Sequence, residues 1–317
     1  MYPVIALLAP GQGSQKPGML TPWLDDPAAE ETLAAWSDAI GLDLVRLGTT
    51  ADAEEIKDTT VTQPLVVASA LLAAARLTSK TAPPAGSPVA GHSVGELAAA
   101  AIAGVLTPDA AVSLAAVRGR EMAAACALEP TGMSAVLGGN PDEVLATLDR
   151  LGLDPANRNG GGQVVAAGPT AALAELAANP PAKARIIPLA VAGAFHTRFM
   201  APAEEALRSH AEGISPTDPT LPLLSNADGA VVTTGAEALT RLVAQVTRPV
   251  RWDACMATLG ELGVTAVIEL PPAGTLVGLV KRDLKGVATL ALKSPDDLEK
   301  AAALIADHAD TGNGGAA

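Results

Sequence analysis

Aromatic residues are scarce in this chain of 317 residues, which holds two Phe, three Trp and one Tyr. Hydrophobic residues still make up 49% of the sequence, so Ala, Leu and Val must build the interior. At this length the chain can bury an ample core, either as one large α/β domain or as two domains of moderate size.

Basic residues are also few, since 21 Lys and Arg stand against 34 Asp and Glu, and the net charge is −13. Such an acidic protein is a poor partner for nucleic acid or for an anionic membrane surface, because like charges repel. We therefore predict neither partner. Recognition of a small molecule, or of a protein through a local patch, is the expected class of function.

The chain has only two cysteines and no long hydrophobic run. Cys126 and Cys255 lie far apart inside apolar segments, which indicates buried free thiols of a reducing compartment rather than a disulfide. The apolar stretch 65–77 is shorter than a membrane span and includes Arg76, and residues 1–9 lack the basic start of a signal peptide. We expect a cytoplasmic protein without a metal site.

The segment Gly91-His92-Ser93-Val94-Gly95 carries the strongest chemical signal. An apolar stub precedes it and an Ala-rich segment follows, which predicts a strand, a tight turn holding Ser93, and a helix. Small residues on both sides let the backbone reverse and the helix pack close to the strand. The Ser93 hydroxyl then lies beside helix N–H groups that suit an oxyanion. A chance match is the alternative, and the strand–turn–helix context argues against it.

A serine nucleophile needs a base, normally histidine. His92 is adjacent to Ser93, and on a tight turn its side chain should point away. His210 falls on a polar helix face, and His308 lies close to the C-terminal end. His196 is on a loop of small and apolar residues, where burial and orientation suit a base. We therefore predict His196 as the base, with a purely structural histidine as the alternative.

Two further segments could take part in chemistry. Arg118 lies on an otherwise apolar helix, where an inward-facing guanidinium needs a carboxylate and can bind one bidentately. A solvated helix face is an equal alternative for Arg118 and is the expected state of Arg120. The loop Gly11-Gln12-Gly13 resembles a nucleotide-binding loop only weakly, because the pattern G-x-G-x-x-G fails at Lys16. A loop that turns a backbone N–H toward a neighbouring site is the other interpretation.

Apolar runs and amphipathic segments alternate along the chain, which indicates an α/β fold. The predicted strands, besides the stub at 89–90, are 4–9, 133–137, 163–167, 184–189, 221–224, 266–270 and 287–292. The predicted helices are 28–40, 60–77, 94–105, one that begins at Thr107-Pro108-Asp109, 141–151, 170–177, 236–246, 252–262, 274–284 and one capped by Ser294 to Asp297. From about residue 132 a short β-α-β-α-β run predicts a separate subdomain.

Six motifs occur in the order and spacing of one known family. They are Gly11-Gln12-Gly13-Ser14-Gln15, Gly91 to Glu96, Arg118-Gly119-x-x-Met122, Gly193-Ala194-Phe195-His196, Gln245-x-x-x-Pro249-Val250-Arg251-Trp252, and Glu269 to Leu276. Through these motifs, residues 3 to about 300 resemble the malonyl-CoA:acyl carrier protein transacylases.

The resemblance implies an α/β fold with a hydrolase-like core, a parallel sheet flanked by helices, over residues 1–129 and 194–309. It implies a small ferredoxin-like α+β subdomain inserted at 130–193, where the pattern had already changed. Residues 310–317 are rich in Gly, and this composition predicts a disordered tail.

The resemblance also implies roles for individual residues of these motifs. Ser93 is the nucleophile and His196 the general base, which the backbone carbonyl of Gln245 orients. The backbone N–H groups of Gln12 and Val94 are the oxyanion donors.

For the substrate, the resemblance implies that Arg118 holds the free carboxylate of a malonyl group. Gln63 and Phe195 are supporting substrate-binding residues. The implied reaction moves malonyl from malonyl-CoA to the phosphopantetheine thiol of acyl carrier protein, through an ester of Ser93 in a ping-pong mechanism. It supplies fatty-acid elongation, needs no cofactor, and is carried out by a monomer.

Two alternatives stay open. A discrete acyltransferase of a polyketide pathway shares the chemistry and differs only in its carrier. An esterase or thioesterase of the α/β-hydrolase type needs a late histidine such as His308 and gives Arg118 no task. An acidic carrier needs a basic docking patch, and the candidates are Arg198, Arg248, Arg251, Lys281 and Arg282.

Overall fold

The computed structural model describes residues 4–309, so the predicted tail 310–317 lies outside the described residues. The strands are β1 (Val4–Ala9), β2 (Val89–Gly91), β3 (Thr131–Gly138), β4 (Asp154–Gly160), β5 (Gln163–Pro169), β6 (Ala184–Pro188), β7 (Leu223–Leu224), β8 (Val231–Val232), β9 (Val250–Arg251), β10 (Val264–Glu269) and β11 (Ala288–Ala291). The helices are α1 (Pro27–Ile40), α2 (Leu44–Thr49), α3 (Thr59–Lys80), α4 (Gly95–Ile102), α5 (Pro108–Cys126), α6 (Pro141–Arg150), α7 (Thr170–Ala178), α8 (Ala201–Ala211), α9 (Gly235–Ala244), α10 (Trp252–Glu261), α11 (Leu276–Asp283) and α12 (Leu298–Ala309).

Six strands form the larger sheet, in the order β11-β10-β1-β2-β7-β8. Neighbours are parallel except for β7 and β8, which form an antiparallel pair. The side chains of β1 enter apolar clusters on both faces of the sheet. Burial on both faces explains why a continuous apolar run, rather than an alternating one, encodes a central parallel strand. The strand predicted over 4–9 is confirmed.

The edge of this sheet brings two distant loops together. Ala9 at the end of β1 is the register partner of Gly91 at the end of β2. Because the two strands are parallel, the segments 10–15 and 92–94 leave the sheet at the same edge. The loop 10–15, which holds Gln12 and Gln15, and the turn 92–94, which holds Ser93, are therefore neighbours, although about eighty residues separate them in sequence.

Five strands form the smaller sheet, in the order β6-β3-β5-β4-β9. Its strands pair antiparallel except for β4 and β9, which are parallel. The sequence predicted three of these strands and missed β4, because Asp, Pro, Asn and Gly are depleted in strands and fill its sequence. The fifth strand, β9, comes from beyond the segment 130–193, so this sheet extends past the predicted subdomain.

The predicted helices agree with the structure to within a few residues, and side-chain caps mark the starts of α1, α3, α5, α6 and α9. Thr107 accepts a hydrogen bond from the Ala110 N–H at 3.1 Å, as its place before Pro108 predicted. The segment Ser294 to Asp297, predicted to cap the final helix, directly precedes α12, but the Ser294 side chain makes no capping hydrogen bond. The carboxylate of Asp297 instead accepts from the Lys293 N–H at 3.1 Å.

Helix α3 is long and apolar enough to cross a membrane, yet 83% of its most apolar window is buried inside the protein. A helix buried to this degree is typical of the core of a folded domain. The two cysteines are free, with Cys255 buried and Cys126 partly buried.

Candidate active site

A cavity of about 410 Å³ opens at the edge of the larger sheet where the two loops meet. Six of the eight predicted site residues line it: Gln12, Gln63, Ser93, Arg118, Phe195 and His196. The other two lie behind its wall, since Val94 is fully buried and Gln245 is 5% exposed. The smaller sheet contributes Asn157, Asn159 and Gln163 to the opposite wall. The cavity therefore lies between the two sheets.

Ser93 lies on a strained turn between β2 and α4, with a φ of 54°. A non-glycine residue adopts this left-handed conformation only when its surroundings enforce it. The flanking residues must be glycine, because a Cβ atom at either position would clash with the neighbouring backbone. A Cβ on Gly91 would lie 2.1 Å from the backbone of Gly95, and one on Gly95 would lie 2.3 Å from the Ala9 carbonyl. The predicted strand, tight turn and helix are present.

His196 joins the serine to a backbone carbonyl. Its Nε2 lies 2.7 Å from Ser93 Oγ, and its Nδ1 lies 2.8 Å from the carbonyl oxygen of Gln245. A carbonyl only accepts hydrogen bonds, so Nδ1 carries the proton and Nε2 presents its lone pair to the hydroxyl. This is the geometry in which an imidazole removes a proton from a serine.

The charge state of His196 follows from its burial. Only 3% of the residue is exposed. Burial, together with the nearby positive charge of Arg118, lowers the pKa of His196 to about 3, while the bond to Gln245 acts in the opposite direction. The imidazole is therefore neutral at pH 7, as a proton acceptor must be.

Arg118 extends from α5 to the floor of the cavity and is 2% exposed. Its guanidinium donates to Gln63 Oε1 at 2.7 Å, to Gln245 Oε1 at 2.8 Å and to Ser93 Oγ at 3.3 Å. The solvated alternative is thus wrong for Arg118, whereas it is correct for Arg120, which is exposed. Burial lowers the pKa of Arg118 to about 9, and the charge of Glu96 opposes this.

Those acceptors of the Arg118 guanidinium are neutral. Among residues 4–309, no salt bridge includes Arg118. A buried guanidinium with only neutral partners is costly, and an incoming carboxylate would neutralise it with bidentate geometry. The site is electrostatically suited to an acyl group with a free carboxylate.

Two backbone N–H groups are available near the serine. In the described part of the chain, the N–H groups of Gln12 and Val94 take part in no hydrogen bond. A Cβ on Gly11 would lie 2.5 Å from the carbonyl oxygen of His92, so the loop packs directly against the serine turn. Unused backbone donors beside a serine hydroxyl are the groups from which oxyanion holes are built.

The other histidines bond elsewhere. His92 Nε2 lies 2.9 Å from Asn159 Oδ1, and its ring packs on Trp252 at 5.5 Å between centroids. Burial lowers the pKa of His92. His210 pairs with Ser113 at 3.3 Å, and His308 pairs with Thr265 at 2.7 Å.

Sequence reasoning missed two buried polar residues behind the serine. Asn226, fully buried, accepts from the Ser93 N–H at 2.8 Å and donates to the Gly91 carbonyl at 2.7 Å. Glu96 is 3% exposed and accepts from Asn226 and Gln245. Burial raises the pKa of Glu96 to about 7, while these hydrogen bonds and the charge of Arg118 act in the opposite direction. The sequence signals for Glu96 were its place at the end of the motif Gly91 to Glu96 and at the start of an apolar helix.

Comparison with known proteins identifies the class of enzyme and the family. The family model described as "Acyl transferase domain" matches residues 7–310, so the protein belongs to the acyltransferase class of enzymes. The "Malonyl CoA-acyl carrier protein transacylase" of Mycobacterium tuberculosis is 60% identical over 303 residues, 95% of this chain and 100% of the relative.

Solved structures agree on the fold. The crystal structure of MCAT from Mycobacterium tuberculosis superimposes with a TM-score of 0.92 at 60% identity, covering 94% of this chain and 99% of that one. The structure described as a type II PKS acyl-carrier protein in complex with its malonyl-transacylase superimposes with a TM-score of 0.89 at 32% identity. The match covers 95% of this chain and 99% of that one. The chain belongs to the malonyl CoA-acyl carrier protein transacylase family.

Proposed function

We propose that the protein transfers a malonyl group from malonyl-CoA to the phosphopantetheine thiol of acyl carrier protein, as an enzyme of fatty-acid elongation. The observation that carries the proposal is the distance of 3.3 Å between the Arg118 guanidinium and Ser93 Oγ. A malonyl ester of Ser93 places its free carboxylate two carbon atoms beyond the ester carbonyl, within reach of that buried cation.

The first half-reaction loads the serine. His196 Nε2 takes the proton of Ser93 Oγ as the oxygen attacks the thioester carbonyl of malonyl-CoA. The developing oxyanion is held by the N–H groups of Gln12 and Val94. The tetrahedral intermediate collapses, the carbon–sulfur bond breaks, and the protonated imidazole gives its proton to the leaving thiolate of CoA.

The second half-reaction runs the same steps in reverse with a different thiol. The phosphopantetheine thiol gives its proton to His196 and attacks the malonyl ester, and Ser93 leaves as the alcohol with the proton returned. The carbonyl of Gln245 keeps the imidazole in the tautomer that both steps need. No cofactor or metal enters either step.

Malonyl selectivity follows from Arg118. An acetyl group would bury the same guanidinium without a carboxylate, and leaving a buried charge unpaired is costly. Gln63 holds the guanidinium from the far side at 2.7 Å, and Phe195, 6% exposed, closes the apolar wall of the cavity. Both are proposed as supporting residues of the substrate site.

We further propose that residues 130–193 form a ferredoxin-like subdomain inserted into the core of residues 1–129 and 194–309. The order β6-β3-β5-β4 with α6 and α7 between strands supports this arrangement. Cytoplasmic location, supported by two free cysteines, and a monomeric state belong to the same proposal.

Mass spectrometry of the intact protein tests the function. Protein mixed with malonyl-CoA should gain the mass of one malonyl group, located on Ser93 by peptide mapping, and lose it when holo acyl carrier protein is added. Ser93→Ala is the matched control and should gain none. Persistent absence of the adduct from the wild type, with CoA released, would instead favour the esterase or thioesterase alternative.

The identity of the carrier separates fatty-acid from polyketide synthesis. A relative at 32% identity is in complex with a type II PKS acyl-carrier protein, so both carrier classes are to be compared in the second half-reaction. A higher kcat/KM with the fatty-acid carrier supports the proposal, and a higher value with a polyketide carrier supports the alternative.

A further inference from the structure

Glu96 is a buried carboxylate to which the proposed mechanism assigns no task. It lies in the first turn of α4, three residues after the nucleophile, and is 3% exposed. Its Oε1 accepts from the Asn226 N–H at 3.1 Å, and its Oε2 accepts from Gln245 Nε2. Burying a carboxylate is costly. A positional role toward Asn226 and Gln245 would explain why the protein buries this carboxylate.

The Gln245 side chain connects this carboxylate to the substrate-binding arginine. Its Nε2 donates to Glu96 and to the Ser93 carbonyl at 3.0 Å, while its Oε1 accepts from Arg118 at 2.8 Å. The two ends of an amide have opposite hydrogen-bonding character. A rotated amide would set its NH₂ against the guanidinium and its oxygen against the carboxylate, which is unfavourable at both ends.

An ionised carboxylate only accepts hydrogen bonds, so it selects one of the two amide orientations. That orientation turns the Gln245 oxygen toward Arg118. The chain from Glu96 through the amide to the guanidinium thus alternates acceptor, donor, acceptor and donor without a mismatch. In its ionised form, Glu96 thus favours the position of Arg118 beside Ser93 without touching it.

We propose that Glu96 is a positioning residue for malonyl selectivity, because it fixes the Gln245 amide and thereby the place of the Arg118 guanidinium. This inference rests on the proposed function and names a further determinant of it. Glu96 touches no reacting atom and acts through Gln245. Its loss is therefore expected to affect a carboxylated acyl group more than an uncarboxylated one.

Glu96→Gln tests the role at pH 8, where the carboxylate is ionised. We expect kcat/KM for malonyl-CoA to fall at least tenfold, mainly through KM, while acylation by acetyl-CoA changes by less than about threefold. The matched control is Glu269→Gln, another fully buried carboxylate, which accepts from four backbone N–H groups at the start of α11. The control should leave the ratio of malonyl to acetyl unchanged.

A double-mutant cycle with Gln245→Ala separates positioning from general stability. If Glu96 acts through Gln245, Glu96→Gln should change the malonyl-to-acetyl ratio by less than about twofold in that background. Should Glu96→Gln fail to fold, Glu96→Asp gives the same comparison, because a shorter carboxylate cannot reach both of its donors.

Equal losses for both acyl groups, or full additivity with Gln245→Ala, would overturn the role of Glu96 and leave the proposed function standing. A wild-type protein that transfers no malonyl group would overturn both.

Discussion

The side-chain oxygen of Asn226 accepts a hydrogen bond from the backbone N–H of Ser93 at 2.8 Å. The same side chain donates to the Gly91 carbonyl at 2.7 Å. Together these bonds hold both sides of a turn whose central φ is 54°. A conformation of this kind costs on the order of 1–3 kcal/mol and persists only where neighbours enforce it. Ser93, the proposed nucleophile, is thus held by a residue 133 positions later in the chain.

Asn226→Ala should lower both stability and rate. It removes two hydrogen bonds from a strained turn, and we expect the free energy of unfolding to fall by about 2–4 kcal/mol. Displacement of Ser93 relative to His196 should lower kcat by about tenfold to a hundredfold. Urea unfolding and malonyl-transfer kinetics measure the two effects. Asn179→Ala, at an exposed position, is the control, and an unchanged kcat in Asn226→Ala would contradict the expectation.

Arg118→Lys should reduce malonyl transfer far more than acetyl transfer. Lysine keeps the charge but lacks the planar fork that meets both carboxylate oxygens, so kcat/KM for malonyl-CoA should fall about 10²-fold or more. Steady-state kinetics with both acyl-CoA substrates gives the ratio. Arg120→Lys, two residues further along the same helix and exposed, should behave as wild type. A malonyl-over-acetyl preference unchanged in Arg118→Lys would show that the carboxylate binds elsewhere.

His196 should make stability fall below neutral pH. Its pKa of about 3 in the folded protein lies below the unfolded value near 6.5, so between those values the unfolded chain binds more protons. Stability is therefore complete above about pH 6.5 and is lost as the pH falls, by about 2 kcal/mol between pH 7 and pH 5. Urea unfolding of the wild type and of His196→Gln at both pH values gives the comparison. Equal losses in the two proteins would assign the effect to other groups.

Lys281→Glu tests the docking patch. Of the five basic candidates, Arg251 pairs with Asp253 at 2.8 Å and Arg198 lies 3.7 Å from Asp154, so both are partly neutralised. Lys281 is exposed on α11, next to the cavity-lining Arg282.

Charge reversal there should raise KM for acyl carrier protein about tenfold while the rate of Ser93 acylation by malonyl-CoA stays unchanged. Lys57→Glu, exposed before α3 and outside the cavity, is the control. An unchanged KM for the carrier would move the docking patch elsewhere.

The elements that the sequence predicted correctly are those encoded by neighbouring residues. Strand β1 was predicted because a continuous apolar run has few other uses at that length, and the start of α5 because Thr107 and Pro108 form a local signal. Strand β4 was missed since its residues disfavour strands, and it exists because β5 and β9 pair with it on both sides. Pairing between distant segments has no local signature.

The residues of the candidate site likewise fall into those with a local sequence signal and those without one. The sequence by itself determined the Ser93 turn, since Gly-x-Ser-x-Gly between an apolar stub and a helix leaves few other backbone paths. It also placed His196 on a loop of small and apolar residues. It left Arg118 undecided between solvent and interior, because one helix face looks the same in either case until its neighbours are known.

Only the tertiary structure decided how these residues meet. Burial of Arg118 against Gln63 and Gln245, and the roles of Glu96 and Asn226 behind Ser93, depend on side chains from separate elements. Hydrogen bonds of this kind act over about 3 Å, whereas the residues that make them lie up to 152 positions apart in the chain. The hydrophobic pattern of the sequence encodes the helices and strands, whereas only their tertiary packing brings the polar side chains of the site together.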